Sequence, residues 1–201
     1  MLAIIEAAGW PIWPIIAASV IALGIIGERL WSLRAACVTP KGLLEQTAEE
    51  YRTRGVSQEM LDRLSNQSVL GRIFAAGLRN EKSSREVVKE SIEEAGRAAA
   101  HELGRFLSGL GTIASIAPIM GLLGTVIGMI EIFGSQGPTG TTPTQLAHGI
   151  SVALYNTAFG LIVAIPSMIF YRYFRNKVDS AVVEMEQQAV KLVEIIHGDR
   201  R

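Results

Sequence analysis

Charged residues are distributed unevenly along the chain, and their absence defines long apolar stretches. The first covers residues 7–27 and lies between Glu6 and Glu28. Across residues 106–171 there is no Lys or Arg, and Glu131 is the only charged side chain. A segment rich in Gly, Pro and Thr, residues 132–143, divides this second stretch into two arms. Each arm has about 25 residues, long enough as a helix to cross a ~30 Å hydrocarbon core. The pattern predicts one membrane span followed by a transmembrane helical hairpin.

The first apolar stretch predicts a membrane helix rather than a cleaved signal peptide. A signal peptide carries basic residues before its apolar core, whereas here the first basic residues, Arg29 and Arg34, follow it. Basic residues also cluster after the third span, at Arg172, Arg175 and Lys177. The positive-inside rule then predicts three spans with the N-terminus outside and the C-terminus in the cytoplasm.

These boundaries describe an all-α integral membrane protein with long cytoplasmic helical extensions. Residues 1–29 hold the N-terminus and the first membrane helix, 30–105 a cytoplasmic helical subdomain, and 106–133 the second membrane helix. A periplasmic loop follows at 134–143, the third membrane helix at 144–174, and a cytoplasmic C-terminal helix at 175–201. Within the subdomain, helical patterning is clearest at 43–54, 68–78 and 84–105, and we expect the last of these helices to continue into the second span.

Apolar residues in the C-terminal segment recur at alternating spacings of four and three. They are Val178, Val182, Met185, Ala189, Leu192 and Ile196. This spacing is typical of a heptad seam. Because the seam is short, we expect an extension of the third span that packs on neighbouring helices rather than an isolated coiled coil.

Composition argues against several classes of function. The formal net charge is zero and the pI is about 6.8, so no global basic field points to nucleic acid. The single Cys37 has no partner for an internal disulfide, which fits a reducing compartment around it. The three histidines are widely spaced, and the HExxH, Walker A and GxSxG motifs are absent. We therefore expect neither an enzyme nor a bound cofactor.

Small residues follow one face of each hairpin arm. In the second span they are Gly121, Gly124 and Gly128; in the third they are Gly149, Ala153, Gly160 and Ala164, with Asn156 or Thr157 between them. Such faces let helices approach closely. The sequence leaves open whether the glycines pack within one subunit or between subunits.

Four polar residues inside the hairpin are candidates for function: Thr125, Ser151, Asn156 and Thr157. An amide or hydroxyl in hydrocarbon is unfavourable unless it finds a partner. A membrane-helix threonine often bonds only its own preceding turn, which is the alternative for Thr125. Near the outer ends, Glu131 is either a proton relay or a solvated end of the helix, and His148 either titrates near neutral pH or is incidental.

Two motifs, GLLGTVIGM in the second span and ISVALYNTAFGLIVAIPS in the third, resemble the ExbB/TolQ/MotA proton-channel family, and the ExbB/TolQ branch most. Pro166 belongs to the second motif, and we group it with the glycines as a helix-packing residue. The resemblance implies a homo-pentamer in the bacterial inner membrane, surrounding ExbD/TolR-like single-span partners. A membrane aspartate of the partner would carry the transported proton, and proton-motive force would act through the complex on a TonB/TolA-like protein.

The resemblance also assigns roles to particular residues. Thr125 and Thr157 match the threonines that face the family's pore. Many ExbB and TolQ members carry a glutamate five residues before the second threonine, where this chain has Val152. Protonation is then expected to rest on the partner, with Thr125, Ser151, Asn156 and Thr157 forming a hydrated polar path. The alternative is a non-conducting oligomeric scaffold that anchors a partner in the bilayer and leaves these residues without a task.

Overall fold

A computed structural model of the chain describes residues 9–134 and 143–198, and all the regular structure in those two ranges is helical. The helices are α1 (Ile12–Ser32), α2 (Ala35–Val38), α3 (Leu43–Arg54), α4 (Gln58–Gln67), α5 (Val69–Arg79), α6 (Arg85–Gly104), α7 (Leu107–Gly134) and α8 (Pro143–Ile196). Nearly all of the predicted periplasmic loop lies outside the described residues.

Three helical stretches are long and apolar enough to cross a membrane. They are Ile12–Ser32, Arg85–Gly134 and Gly149–Ile196. Large apolar side chains remain exposed along them; on α7 these include Ile119, Leu122 and Ile130. The prediction of an all-helical protein with three candidate spans is confirmed.

The chain divides into two compact units. The first, which we call the apolar unit, comprises the described parts of Met1–Glu28 together with Phe106–Tyr173. The second, the polar unit, comprises Arg29–Arg105 and the described part of Phe174–Arg201.

Apolar side chains from several helices form the core of the polar unit. Helix α5 packs against α4 and α6. Its side chains Leu70, Phe74 and Leu78 are fully buried. A Cβ placed on Gly77 would lie 2.7 Å from Cδ1 of Ile92 on α6 and 3.8 Å from Cδ2 of Leu192 on α8. Helices α5, α6 and α8 therefore pack together at Gly77.

Serine caps define the starts of two short helices in this unit. The hydroxyl of Ser57 accepts a hydrogen bond from the Met60 amide at 3.2 Å, and that of Ser68 accepts one from the Gly71 amide at 3.0 Å. Each satisfies an amide that the first turn of a helix leaves without a partner.

The heptad pattern of the C-terminal segment marks a packed face of α8, as predicted. Its positions Val178, Met185, Ala189 and Leu192 are buried, and Val182 and Ile196 are half-buried. Because α8 runs without interruption to Ile196, these heptad positions lie on an extension of the third apolar helix, as expected.

The prediction that the helix of residues 84–105 continues into the second span is wrong. Helix α6 ends at Gly104, and Arg105 has φ −55° and ψ 142°. Phe106 then adopts φ 64°, in the left-handed region, before α7 starts at Leu107. The Phe106 carbonyl accepts from the Leu110 amide at 3.1 Å, so the new helix starts at once. Gly104, the last residue of α6, is a weak helix former, and the left-handed backbone of Phe106 ends the helical path.

Candidate functional site

The candidate site lies in the hairpin formed by α7 and α8 within the apolar unit. One face of α7 is buried at Leu107, Leu110, Ala114, Ala117, Gly121 and Gly124. The facing side of α8 is buried at Ala153, Asn156, Gly160, Ala164 and Ser167. We call this contact the seam.

Backbone atoms of the two helices approach closely at the seam. A Cβ on Gly121 would lie 2.7 Å from the Asn156 carbonyl oxygen and 2.9 Å from the Thr157 Cα. A Cβ on Gly160 would lie 2.5 Å from the Ala117 carbonyl oxygen and 3.2 Å from the Gly121 Cα. A methyl group at either position would force backbone apart, so only glycine allows this spacing.

The seam settles how two of the span-two glycines are used. Gly121 and Gly124 face α8 of the same chain, and Gly128 lies near Ala153, where an added Cβ would be 3.3 Å from the Ala153 Cβ. Packing within one subunit therefore accounts for this glycine face. A Cβ on Gly149 would overlap the Ile132 side chain, so this glycine too lies against α7.

Pro166 is exposed and lies within α8.

Asn156 is the most deeply buried of the four polar candidates. Its side chain is 2% exposed. A Cβ on Gly124 would lie 2.7 Å from its Cβ, 2.8 Å from its Cγ and 3.1 Å from its Nδ2. The Asn156 side chain thus occupies the space beside α7 that Gly124 leaves empty.

Thr125 and Thr157 flank the seam and are both half-buried. The Thr125 hydroxyl donates to the Leu122 carbonyl oxygen at 2.6 Å. Local bonding of this kind was the alternative to a pore role, and it leaves the oxygen lone pairs able to accept a further hydrogen bond. At about 100° per residue, Thr125 lies about 40° around α7 from Gly121, at the margin of the packed face.

Ser151 is not brought together with the other three candidates. Its exposed hydroxyl donates to the Ala147 carbonyl oxygen at 2.9 Å. It lies six residues before Thr157, which places the two about 120° apart around α8. Glu131 is exposed near the end of α7. His148 and Val152 are outside the set of residues whose side chains the structure describes.

One buried polar residue of the seam was not predicted from the sequence. Ser167 is 1% exposed, and its hydroxyl donates to the Val163 carbonyl oxygen at 2.7 Å. Its spacing from Gly160 and Ala164 places it on the same small-residue stripe, which is the signal that could have identified it. Among the described residues, no group of three or more His, Cys, Asp or Glu side chains could hold a metal ion.

A hairpin with a seam of small residues and apolar outer faces is typical of a helical membrane protein that crosses the bilayer several times. The model of the MotA/TolQ/ExbB proton channel family matches residues 65–187, and the chain belongs to this family. It is a family of proton channels and not a known enzyme family.

Several relatives carry the ExbB name. The chain is 28% identical over 179 residues to biopolymer transport protein exbB1 of Vibrio cholerae serotype O1, covering 87% of this chain and 78% of the relative. It is 40% identical over 99 residues to biopolymer transport protein ExbB of Aquifex aeolicus, covering 49% and 62%. It is 30% identical over 134 residues to biopolymer transport protein ExbB of Salmonella typhimurium, covering 66% and 53%. These similarities agree with the ExbB/TolQ branch of the family.

Proposed function

We propose that this protein is a proton-channel subunit of the bacterial inner membrane. It acts as a homo-oligomer with an ExbD/TolR-like single-span partner that carries a membrane aspartate. The complex converts proton-motive force into mechanical work on a TonB/TolA-like protein, for outer-membrane transport or envelope maintenance. The transported ion is the proton, and no other cofactor is required.

One observation carries the proposal beyond family membership. Thr125 and Thr157 lie on opposite helices of one hairpin, at the margins of its packed seam, and neither is fully buried within the chain. Hydroxyls placed there are available to water or to a partner's side chain. A non-conducting scaffold would need only the seam and the apolar outer faces.

The pattern of ionisable residues supports a protonation step on the partner. Glu131 is the only carboxylate in the sequence of the two hairpin arms, and it is exposed near the end of α7. Val152 occupies the position where many ExbB and TolQ members carry glutamate. A threonine hydroxyl donates and accepts hydrogen bonds without taking up a proton near neutral pH. Thr125 and Thr157 would therefore solvate a proton path and orient the partner's aspartate.

The driving force is adequate for such a mechanism. One elementary charge crossing 100 mV releases about 2.3 kcal/mol. That energy is comparable with the hydrogen bonds and helix contacts that a moving subunit would exchange. Several protons per step would shift the packing of one helix against another.

Proton flux in liposomes tests the proposal. The chain is purified with the single-span protein that accompanies it, and flux is followed with an internal pH-sensitive dye under a valinomycin-imposed potential. We expect Thr157→Val to reduce flux by about tenfold or more, because one lost hydroxyl leaves a buried charge poorly solvated. Native mass spectrometry checks that the oligomer is intact.

Thr112→Val is the matched control. Thr112 is exposed on α7, and its hydroxyl donates to the Ser108 carbonyl oxygen at 2.9 Å, so the change removes a threonine hydroxyl that is not one of the four candidates. Flux should match wild type. Equal flux in wild type and Thr157→Val would contradict the role given to Thr157. Intact oligomers that conduct no protons, with or without the partner, would favour the scaffold.

A further inference from the structure

A close side-chain contact at the seam lies next to both candidate threonines. Asn156 fills the space above Gly124, with its Cβ, Cγ and Nδ2 at 2.7, 2.8 and 3.1 Å from where a Gly124 Cβ would be. Only one of the two positions can carry a side chain. We call the space beside Gly124 on α7 the notch, and the Asn156 side chain of α8 fills it.

Each residue of this contact is the sequence neighbour of one threonine of the proposed path. Thr125 directly follows Gly124, and Thr157 directly follows Asn156. Since an α-helix is rigid over one residue, any sliding or rotation of α8 at the notch moves Thr157 relative to Thr125 by a similar amount. At this depth the backbones already touch at Gly121, so the notch is the interlocking side-chain contact beside the two threonines that resists axial slip.

We propose that Asn156 is a positioning residue: its side chain, seated in the Gly124 notch, fixes the register of α7 against α8 and so the placement of Thr125 relative to Thr157. The inference rests on the proposed function for the role of the two hydroxyls. It removes Asn156 itself from the polar path expected from the sequence.

Burial and chemistry support positioning over conduction. The Asn156 side chain is 2% exposed within a single chain, whereas both threonines are half-buried. A carboxamide neither gains nor loses a proton near neutral pH. A side chain closed off between two helices of its own chain also has little access to water or to a partner.

A disulfide reporter measures the register directly. In a Cys37→Ser background, Gly128→Cys and Ala153→Cys place two thiols one turn from the notch. A Cβ at 128 would lie 3.3 Å from the Ala153 Cβ, close to the separation of about 3.5–4.5 Å that is usual in disulfides, so a slip of about one turn would carry the pair out of reach. Cross-linking rate in the membrane therefore reports whether α7 and α8 keep their alignment.

Four variants separate shape from chemistry. Asn156→Ala empties the notch, and Gly124→Ala obstructs it; each should slow cross-linking and reduce flux per assembled complex by about tenfold. The double variant Gly124→Ala/Asn156→Ala exchanges the methyl for the lost side chain and should recover both readouts relative to either single change. Asn156→Leu keeps the branched side-chain skeleton without the amide and should retain cross-linking and most of the flux. Leu154→Ala, at a position 60% exposed on α8, is the control for cross-linking.

The outcomes are distinct. Loss of flux in Asn156→Leu with cross-linking intact would show that the amide itself conducts, and would overturn the inference. Unchanged cross-linking and flux in Asn156→Ala, or a double variant no better than the single ones, would also overturn it. A merely stabilising role would lower thermal stability but leave flux per assembled complex unchanged. If wild type conducts no protons, the proposed function fails, and the cross-linking rates still decide whether the notch sets the register.

Discussion

Arg29 is a charged side chain buried inside the polar unit, where it joins two helices. It is 5% exposed, and its Nη1 donates to the Leu103 carbonyl oxygen at 3.1 Å. That carbonyl is in the last turn of α6, where the helix leaves carbonyls without internal partners and where positive charge is favourable. Arg29 therefore caps α6 from the last turn of α1.

Replacing Arg29 by Leu should destabilise the protein by about 1–3 kcal/mol, since a buried carbonyl loses a charged donor. The measurement is unfolding of the detergent-solubilised protein, followed by tryptophan fluorescence. Arg34→Leu is the control, because Arg34 is exposed and lies 4.4 Å over the Trp31 ring. An exposed cation–π contact contributes only about 0.5–1 kcal/mol. Equal losses in the two variants would contradict the cap.

Tyr51 makes the stability of the polar unit depend on pH in the alkaline range. Burial raises the pKa of the Tyr51 phenol above 10.0, and the Glu81 carboxylate raises it further by its charge and by a hydrogen bond. The folded protein then holds a proton that the unfolded chain releases, so stability is complete below the unfolded pKa of about 10 and falls as pH rises past it.

Tyr51→Phe should flatten the decline of stability measured by thermal unfolding above about pH 10. Glu81→Gln should have an intermediate effect, because it removes the charge and keeps a hydrogen-bonding group. Tyrosinate absorbance provides a direct titration. A pKa of Tyr51 at or below its ordinary value would contradict the assignment.

Residue patterns predicted the small-residue faces of the hairpin but not which residues touch across it. The small-residue faces and the cost of a buried Asn156 follow from the sequence, and the structure places Asn156 and Gly124 in contact. Helical spacing alone does not say which glycine meets which residue, because that depends on the crossing of α7 and α8. The neighbour of Gly160 is the Ala117 backbone, which has no sequence signal.

The α7–α8 hairpin depends on glycine at the seam, and this can be tested with one methyl group. At Gly160 an added Cβ would lie 2.5 Å from the Ala117 carbonyl oxygen. Backbone cannot rotate away as a side chain can, so the helices must separate. We expect Gly160→Ala to destabilise the protein by about 1–3 kcal/mol.

Gly24→Ala is the matched control for this substitution. Gly24 lies in α1, and an added Cβ there would meet nothing within 4 Å. Ala favours a helix over Gly by up to about 1 kcal/mol, so the control should be neutral or slightly stabilising. Unfolding in SDS compares the two variants. A neutral Gly160→Ala would contradict the close approach of the α7 and α8 backbones at this position.

The sequence predicted one short helix of the polar unit with its bounds but not the helix that follows it. Leu43–Arg54 agrees with its predicted range, whereas Gln58–Gln67 was missed. Its buried residues are only Met60, Leu61 and Leu64 among polar neighbours, and its main signal is the Ser57 cap. The break at Phe106 was missed because a phenylalanine rarely adopts positive φ.

At the scale of the whole molecule, the orientation in the membrane is a prediction that a single native residue can test. The basic residues that follow the first span and the third, with none in residues 106–171, predict that both flanks face the cytoplasm. Cys37 follows the first span, is exposed, and is the only cysteine of the chain. A membrane-impermeant maleimide should therefore label it in inside-out vesicles and not in intact spheroplasts.

A second cysteine makes the topology measurement symmetric. In a Cys37→Ser background, which should give no labelling, Thr139→Cys places a thiol in the segment predicted to be periplasmic. It should be labelled in spheroplasts and protected in inside-out vesicles, the reverse of Cys37. Labelling of Cys37 from outside would invert the chain, placing Arg172 and its neighbouring basic residues in the periplasm. The C-terminal part of α8 would then be unable to meet cytoplasmic partners, and the direction of proton-driven work would have to be reconsidered.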